Sequence, residues 1–438
     1  MNRKHIVFSG FMLFSLFFGA GNLIFPPLLG LEAGESFTPA MIGFLITGVL
    51  LPFMAIMAVA LSDDGLISIG SRVHPVFGLV FAIIIYMSIG AFYGIPRASN
   101  VAYELGFRQV VGADNGVVLL LFSIVFFGLT YFISFNPTKI VDRIGQILTP
   151  LLLFVLALLF IQAFWKFDNI AGEATGDYAG APFVTGFLEG YFTMDAVAAL
   201  AFGIVVINGL KDKGAKTKQD LVKGSIGAAV LAGIGLTVVY VSLGWIGSVI
   251  PGETVFTNGA EILTESAEML FVQGGALLFG IIVMLACLTT CVGLINACSR
   301  FFHDIFPRYS YKVYVTIFVL IGLLVSNLGL NIILDIATPL LVFIYPIAIV
   351  LIFLALLQQV VGAGPFMYRL PVAITSVYAL YEVLASLGIE VTWLKQGIGF
   401  VPFFQAGLGW IVPAFVFGLV GYVLDHNRKA INERKNLA

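Results

Sequence analysis

Residues 17–27 read FFGAGNLIFPP and residues 187–203 read FLEGYFTMDAVAALAFG. Both set glycine and polar side chains inside apolar runs that would otherwise cross a membrane as unbroken helices. Gly19 and Gly21 each weaken a helix interior by about 1 kcal/mol relative to Ala, and lipid offers no partner to a freed backbone group. A broken helix at membrane depth is tolerated only where it lines a protein-enclosed cavity, so the breaks point to a binding site. After a break, the new half-helix presents free N–H groups and a partial positive charge suited to a carboxylate, and Ala20 and Gly21 let such a group come close. Before it, the ending half-helix offers carbonyls that coordinate a cation or accept from an ammonium. A zwitterionic amino acid needs both. The second break also carries Glu189, Gly190, Thr193 and Asp195. Intramembrane acids are costly and usually serve a pathway, and the roles of Glu189 and Asp195 stay open between ion binding, a proton relay and bracing of the break. Thr289 and Thr290, in the run ACLTT, place adjacent hydroxyls in a helix with no charge nearby. An isolated membrane threonine bonds back to a carbonyl one turn earlier. Glycine in such helices often marks only close packing. Two breaks five spans apart, one with an Asn and the other with two carboxylates, favour function.

The elements that position these residues are membrane helices. The chain has 438 residues with a mean hydropathy of +1.05 and a charged share of 11%, against about 25% in soluble domains. At roughly 20 apolar residues per crossing, it divides into twelve spans at about 6–30, 38–61, 75–98, 116–135, 144–164, 182–207, 222–247, 270–298, 313–328, 332–358, 370–388 and 402–424. We read residues 1–438 as one transmembrane domain: a first repeat over 6–164, a second over 182–358, and two appended spans over 370–424. The inverted symmetry is inferred from the paired breaks, because no residue-level repeat is visible. With both termini cytoplasmic, 18 of the 22 Lys and Arg fall on the cytoplasmic side, leaving Arg97, Arg108, Lys166 and Lys395 opposite. Arg97, at the outer end of span three, reads as an interface anchor or as the partner of an acid such as Glu104. The MNRKH start could pass for a signal peptide cut at residues 19–21, but the apolar run continues through Leu29 and eleven spans follow.

Several classes are disfavoured. The net charge of -2 comes without a basic patch, so no nucleic-acid partner is expected, and the charged loop over 208–223 only sets topology. Cys287, Cys291 and Cys298 share a helix face with no histidine and read as packing residues, while His5, His74, His303 and His426 lie in loops or tails. Neither G-x-x-x-x-G-K-[ST] nor HExxH occurs, which removes ATP coupling and a zinc hydrolase. An ion channel would need a ring of like residues or a repeated filter, and a membrane enzyme a nucleophile–base pair.

The GxGN break, the Phe192-Thr193 pair and the A-x-x-T-T run resemble the sodium-coupled symporters of the 5+5 inverted-repeat (LeuT-like) fold. The resemblance implies an all-α polytopic membrane protein of 12 transmembrane helices, discontinuous in helices 1 and 6, with two C-terminal helices outside the repeat. It also implies a sodium ion between spans one and eight, held by the carbonyls of Ser15, Phe18 and Ala286 and the hydroxyls of Thr289 and Thr290. The longer motifs FFGAGNLIFPP, GIPRASNVAYE and GYFTMDAVAALAFG, with the length and span count, are similar to the bacterial branched-chain amino acid:cation symporters. That similarity implies a non-enzymatic importer of leucine, isoleucine and valine in the cell membrane, with sodium as the coupling ion, no other cofactor and no obligatory protein partner. Substrate would lie against Ala20, Gly21 and Asn22 of span one and Tyr191, Phe192 and Thr193 of span six, with Phe192 as outer lid and Tyr93 reaching in from span three. Asn22 and Thr193 are further candidates for a second cation site. The stretch from Gly90 to Gly94, GAFYG, departs from the family's G-P-L-F-A. Proton coupling through Glu189 and Asp195 is the alternative.

Overall fold

The computed structural model describes residues 7, 9–11, 13–14, 17–62, 65–111, 115–135, 139–168, 170–212, 217–251, 255–271, 273–362, 364–389 and 391–437. Among them the chain is helical and contains no strand. A helical segment ends at Phe17, and the chain restarts as α1 (Ala20–Ala33). Then follow α2 (Phe37–Leu45) and α3 (Leu51–Ala60), joined by one wide turn at Ile46–Leu50. After α4 (Gly65–Ser71), the third span runs through α5 (Pro75–Met87), α6 (Gly94–Ala102) and α7 (Arg108–Val111). Next come α8 (Gly116–Phe135) and α9 (Lys139–Lys166). The sixth predicted span is two half-helices, α10 (Pro182–Glu189) and α11 (Asp195–Asp212). The remainder is α12 (Lys218–Val249), α13 (Gly259–Leu270), α14 (Gln273–Ile305), α15 (Tyr311–Ser326), α16 (Leu330–Val361), α17 (Pro365–Ser386), α18 (Thr392–Ile398) and α19 (Ile411–Leu437).

Among the described residues, six stretches are long and apolar enough to cross a membrane: Ala20–Ala60, Pro75–Phe107, Gly116–Phe135, Gln219–Val249, Gly275–Ile305 and Leu330–Val361. Of the other predicted spans, the fifth and ninth are apolar but short, at Pro150–Lys166 and Tyr311–Ser326, and the sixth is broken into two half-helices, neither of which reaches 20 residues. The outer faces carry Phe132, Leu324, Val360 and Phe415, all strongly exposed, as expected of helices that meet lipid rather than water.

Without a hydrophobic drive between helices in lipid, association rests on close backbone approach through small residues. Gly247 of α12 lies directly on the Pro27 carbonyl of α1, and Gly30 of α1 on the Gly244 carbonyl of α12. Gly43 of α2 and Gly186 of α10 make the same contact with Phe183 and Ala40. Any side chain there would force these helices apart. The outer helix α13 is fastened by its cap, since Asn258 Oδ1 accepts from the Ala260 and Glu261 amides at 3.0 and 3.2 Å.

Candidate functional site

The first break is locally encoded. Gly19 takes an extended conformation (φ -122°, ψ -167°), and Asn22 reaches back so that its Oδ1 accepts from the Gly19 amide at 3.1 Å. An Asn at the third helical position thereby starts α1 afresh, and the first-turn amides of Ala20 and Gly21 have no acceptor within the helix. The second break spans one tight turn at Gly190–Thr193, followed by Met194 in the left-handed region (φ 66°). A non-glycine residue held there costs about 1–2 kcal/mol, which neighbouring bonds must offset. Thr193 helps: its hydroxyl donates to the Gly190 carbonyl at 2.9 Å and accepts from the Asp195 amide at 3.4 Å, while Thr47 Oγ1 donates to the Phe187 carbonyl at 2.7 Å.

The two breaks face one another. Asn22 Nδ2 donates to Asp195 Oδ2 at 2.7 Å, Tyr240 of α12 donates to the same oxygen at 2.8 Å, and Asn22 Nδ2 also contacts the Tyr240 hydroxyl. One buried carboxylate therefore ties together both broken spans and α12. Asn22 uses its amide oxygen on Gly19 and its amide nitrogen on Asp195, so it is a brace of the breaks rather than a free ligand.

A third interruption went unread in the sequence. Gly90 leaves helical geometry (φ -90°, ψ -105°), and Tyr93 follows at φ -140°, ψ -62°, so the third span kinks between α5 and α6. The GAFYG stretch is this kink. It turns Tyr93 and Arg97 inward, and Tyr93 donates to the Phe192 carbonyl at 3.1 Å. Arg97 is not at the outer interface. It is 5% exposed, donates from Nη1 to the Phe192 carbonyl at 2.7 Å and from Nη2 to the Thr193 carbonyl at 3.4 Å, and lies 4.4 Å over the Tyr93 ring. Glu104 pairs with Arg108 instead, at 2.6 Å. Position along the span puts this charge near the membrane surface; the kink draws it into the core.

Between the breaks lies a cavity of about 40 Å³, lined among others by Gly19, Ala20, Asn22, Arg97, Thr193, Asp195 and Thr290. That is far below the roughly 300 Å³ at which ligand pockets begin, so this conformation is closed on its own side chains. Of the other predicted substrate residues, Gly21 abuts Arg97, Phe192 contributes its carbonyl and sets its ring 5.8 Å from that of Phe25, and Tyr191 points elsewhere, stacked on Tyr345 at 4.4 Å. Glu189 ends α10 and does not line the cavity. Thr289 and Thr290 both donate to the Ala286 carbonyl, at 2.8 and 3.0 Å, the back-bonding expected of membrane threonines. Thr290 also faces the first break: a methyl placed on Gly19 would lie 3.3 Å from its Cγ2 and 3.8 Å from its Oγ1. Phe18 is the non-helical residue just before Gly19, and Ser15 lies outside the described residues. Cys287, Cys291 and Cys298 are buried and unbridged, and no three His, Cys, Asp or Glu converge as a metal cluster among the described residues.

Opposed half-helices around a small cavity, inside a bundle of apolar helices, are the architecture of a LeuT-like membrane fold. The solved structure of Mhp1, a nucleobase-cation-symport-1 family transporter in a closed conformation with bromovinylhydantoin bound, superposes with a TM-score of 0.60 at 17% identity, over 94% of this chain and 91% of that one. In sequence, the chain is 41% identical to the branched-chain amino acid permease BrnQ of Bacillus subtilis over 429 residues, which is 97% of this chain and 98% of that protein. It is 43% identical to BrnQ of Corynebacterium glutamicum over 430 residues, covering 98% and 97%. The family model for branched-chain amino acid transport proteins matches residues 2–428. The chain belongs to that family, a family of membrane-spanning carriers and not of enzymes.

Proposed function

We propose that the chain imports leucine, isoleucine and valine across the cell membrane by sodium-coupled symport with alternating access. The observation that carries this is the apposition of the two breaks, held by the Asn22–Asp195 bond of 2.7 Å around one enclosed cavity. Substrate carboxylate would sit on the Ala20 and Gly21 amides, ammonium on the carbonyls of the sixth-span break, and the side chain against the surrounding apolar wall. Residues 6–164 and 182–358 would form the inverted repeats, 370–424 the two further helices, and both termini would be cytoplasmic. The BrnQ relatives are named branched-chain amino acid permeases, and the apolar side of the cavity, with Phe17, Ile89, Met194, Phe202 and Leu294, suits such side chains. Sodium is favoured by Thr290 facing the break at Gly19, with Thr289, the carbonyls of Ala286 and Phe18, and Ser15 as companions: hard neutral oxygens suited to a monovalent cation.

One observation favours a second reading, proton coupling. The Asp195 carboxylate sits at the junction of both breaks and receives two donors, where a change of protonation would loosen the joint. Labelled-leucine uptake into proteoliposomes decides between them. We expect accumulation driven by an inward sodium gradient at constant pH; uptake that ignores sodium and follows an imposed pH gradient replaces the sodium reading with the proton one.

A further inference from the structure

Arg97 is a buried cation with no carboxylate in direct contact, although Asp195 lines the same cavity. Among the described residues no carboxylate lies within ion-pair distance of it, since the one such pair found is Arg108 with Glu104 and Asp195 is engaged by Asn22 and Tyr240. Nη1 is anchored on the Phe192 carbonyl at 2.7 Å, Nη2 makes only a long contact to Thr193 at 3.4 Å, and Nε is buried with no partner at all. The Nε and Nη2 edge is the edge that grips a carboxylate with two parallel bonds. Arg97 lines the small cavity together with Ala20, whose amide is one of those on which the proposed function seats the substrate carboxylate. Gly21 permits this approach: a methyl there would lie 2.6 Å from Nη1 and 2.7 Å from Cζ. The charge is therefore held in place by a ring face, two carbonyls and a glycine, and one side of it is left unsatisfied.

We propose that Arg97 is the receptor for the substrate carboxylate, a specificity-determining residue for amino acids, resting on the transport reading above. In this arrangement it occupies the Phe192 and Thr193 carbonyls that an ammonium would need. An arriving amino acid exchanges partners with it: the ammonium takes carbonyls of the break and the carboxylate takes the Nε and Nη2 edge. Both charges that substrate brings into the bundle are then met, and so is the charge the protein already held there. A substrate lacking either group leaves one of them unmatched, and rejection follows.

The test compares leucine with leucinol, which keeps the ammonium and side chain but lacks the carboxylate, as competitors of labelled-leucine uptake in proteoliposomes. Wild type is expected to prefer leucine strongly. In Arg97→Gln, the leucine KM should rise about 10- to 100-fold, the range for losing one charge-assisted bidentate contact, while the leucinol inhibition constant changes little, so the preference collapses. Arg97→Lys, which keeps the charge but not the fork, should recover part of it. An Arg97→Gln protein that loses leucine and leucinol affinity in equal proportion, or keeps the wild-type preference, overturns the assignment. So does failure of both variants to give monodisperse folded protein, which makes Arg97 a brace. A wild-type protein that takes up no leucine at all overturns the transport reading itself, a result told apart from the others by the wild-type control.

Discussion

At the residue scale, the junction of Asn22, Asp195 and Tyr240 decides whether the two breaks stay opposed. Removing the tyrosine hydroxyl leaves a buried carboxylate with one donor fewer, a loss of about 1–3 kcal/mol where the alternative partner is hydrocarbon. Tyr240→Phe should therefore lower the melting temperature in detergent by several degrees and reduce leucine uptake; an unchanged melt would mean that water replaces the hydroxyl. Asp195→Asn keeps the shape and discards the charge. Under sodium coupling it should retain sodium-driven uptake, and loss of all pH response together with all coupling would assign Asp195 to proton transfer. Asn22 and Asp195 were legible in the sequence because polar groups stand out in an apolar run. Tyr240 was not, since nothing in the pattern around it distinguishes it from the other tyrosines among the chain's 15. Arg97 was visible but misplaced, because its depth depends on the kink at residues 90–93, and that kink depends on tertiary contacts of Gly90 with Cys298 and Phe318.

At the element scale, the helices divide into those that meet backbone to backbone and those that face lipid. Gly186 lies on Ala40 and Gly247 on Pro27, with no room for a Cβ, whereas Gly128 and Gly418 have nothing within 4 Å of one. Gly186→Leu and Gly247→Leu should each cost at least the 1–3 kcal/mol typical of overpacking, because a helix backbone cannot yield as a side chain can. Gly128→Ala and Gly418→Ala should be neutral or stabilising by about 0.5–1 kcal/mol through helix propensity. Thermal melts of the purified protein separate the two groups, and equal melts across all four would refute the close-packing account of the bundle. Breaks one and six could be read from sequence, since each combines glycine with polar residues. The third interruption, within GAFYG, could not, because glycine in a membrane helix more often marks packing than a kink. Likewise the twelve predicted spans exceed the six long apolar stretches among the described residues, since Ala20–Ala60 takes in two predicted spans and the apolar helices Pro150–Lys166 and Tyr311–Ser326 are shorter than 18 residues.

At the scale of the whole molecule, the cavity of about 40 Å³ must grow several-fold to admit an amino acid, so the bundle must have a second arrangement with that space open to one side. Opening costs the contacts that close the breaks, and substrate and ion must restore them for closure to favour the loaded carrier. Under the proposed sodium coupling, the ion would do the work by moving charge. One elementary charge crossing 100 mV yields about 2.3 kcal/mol, enough for roughly a 50-fold leucine gradient at equal sodium on both sides; two charges would give about 2,500-fold. Proteoliposomes clamped inside-negative by potassium diffusion, with sodium equal across the membrane, should thus accumulate leucine in proportion to the imposed potential. The steady-state ratio should rise about tenfold per 59 mV for each charge moved, so the slope reads the number of charges that accompany each leucine. Thr290→Ala should shift the sodium concentration needed for half-maximal uptake upward, by about tenfold for the loss of one ligand oxygen, and leave that slope unchanged if other oxygens still hold the ion. A ratio that is flat against potential would show that no net charge accompanies leucine, and would require the carrier to be driven by exchange instead.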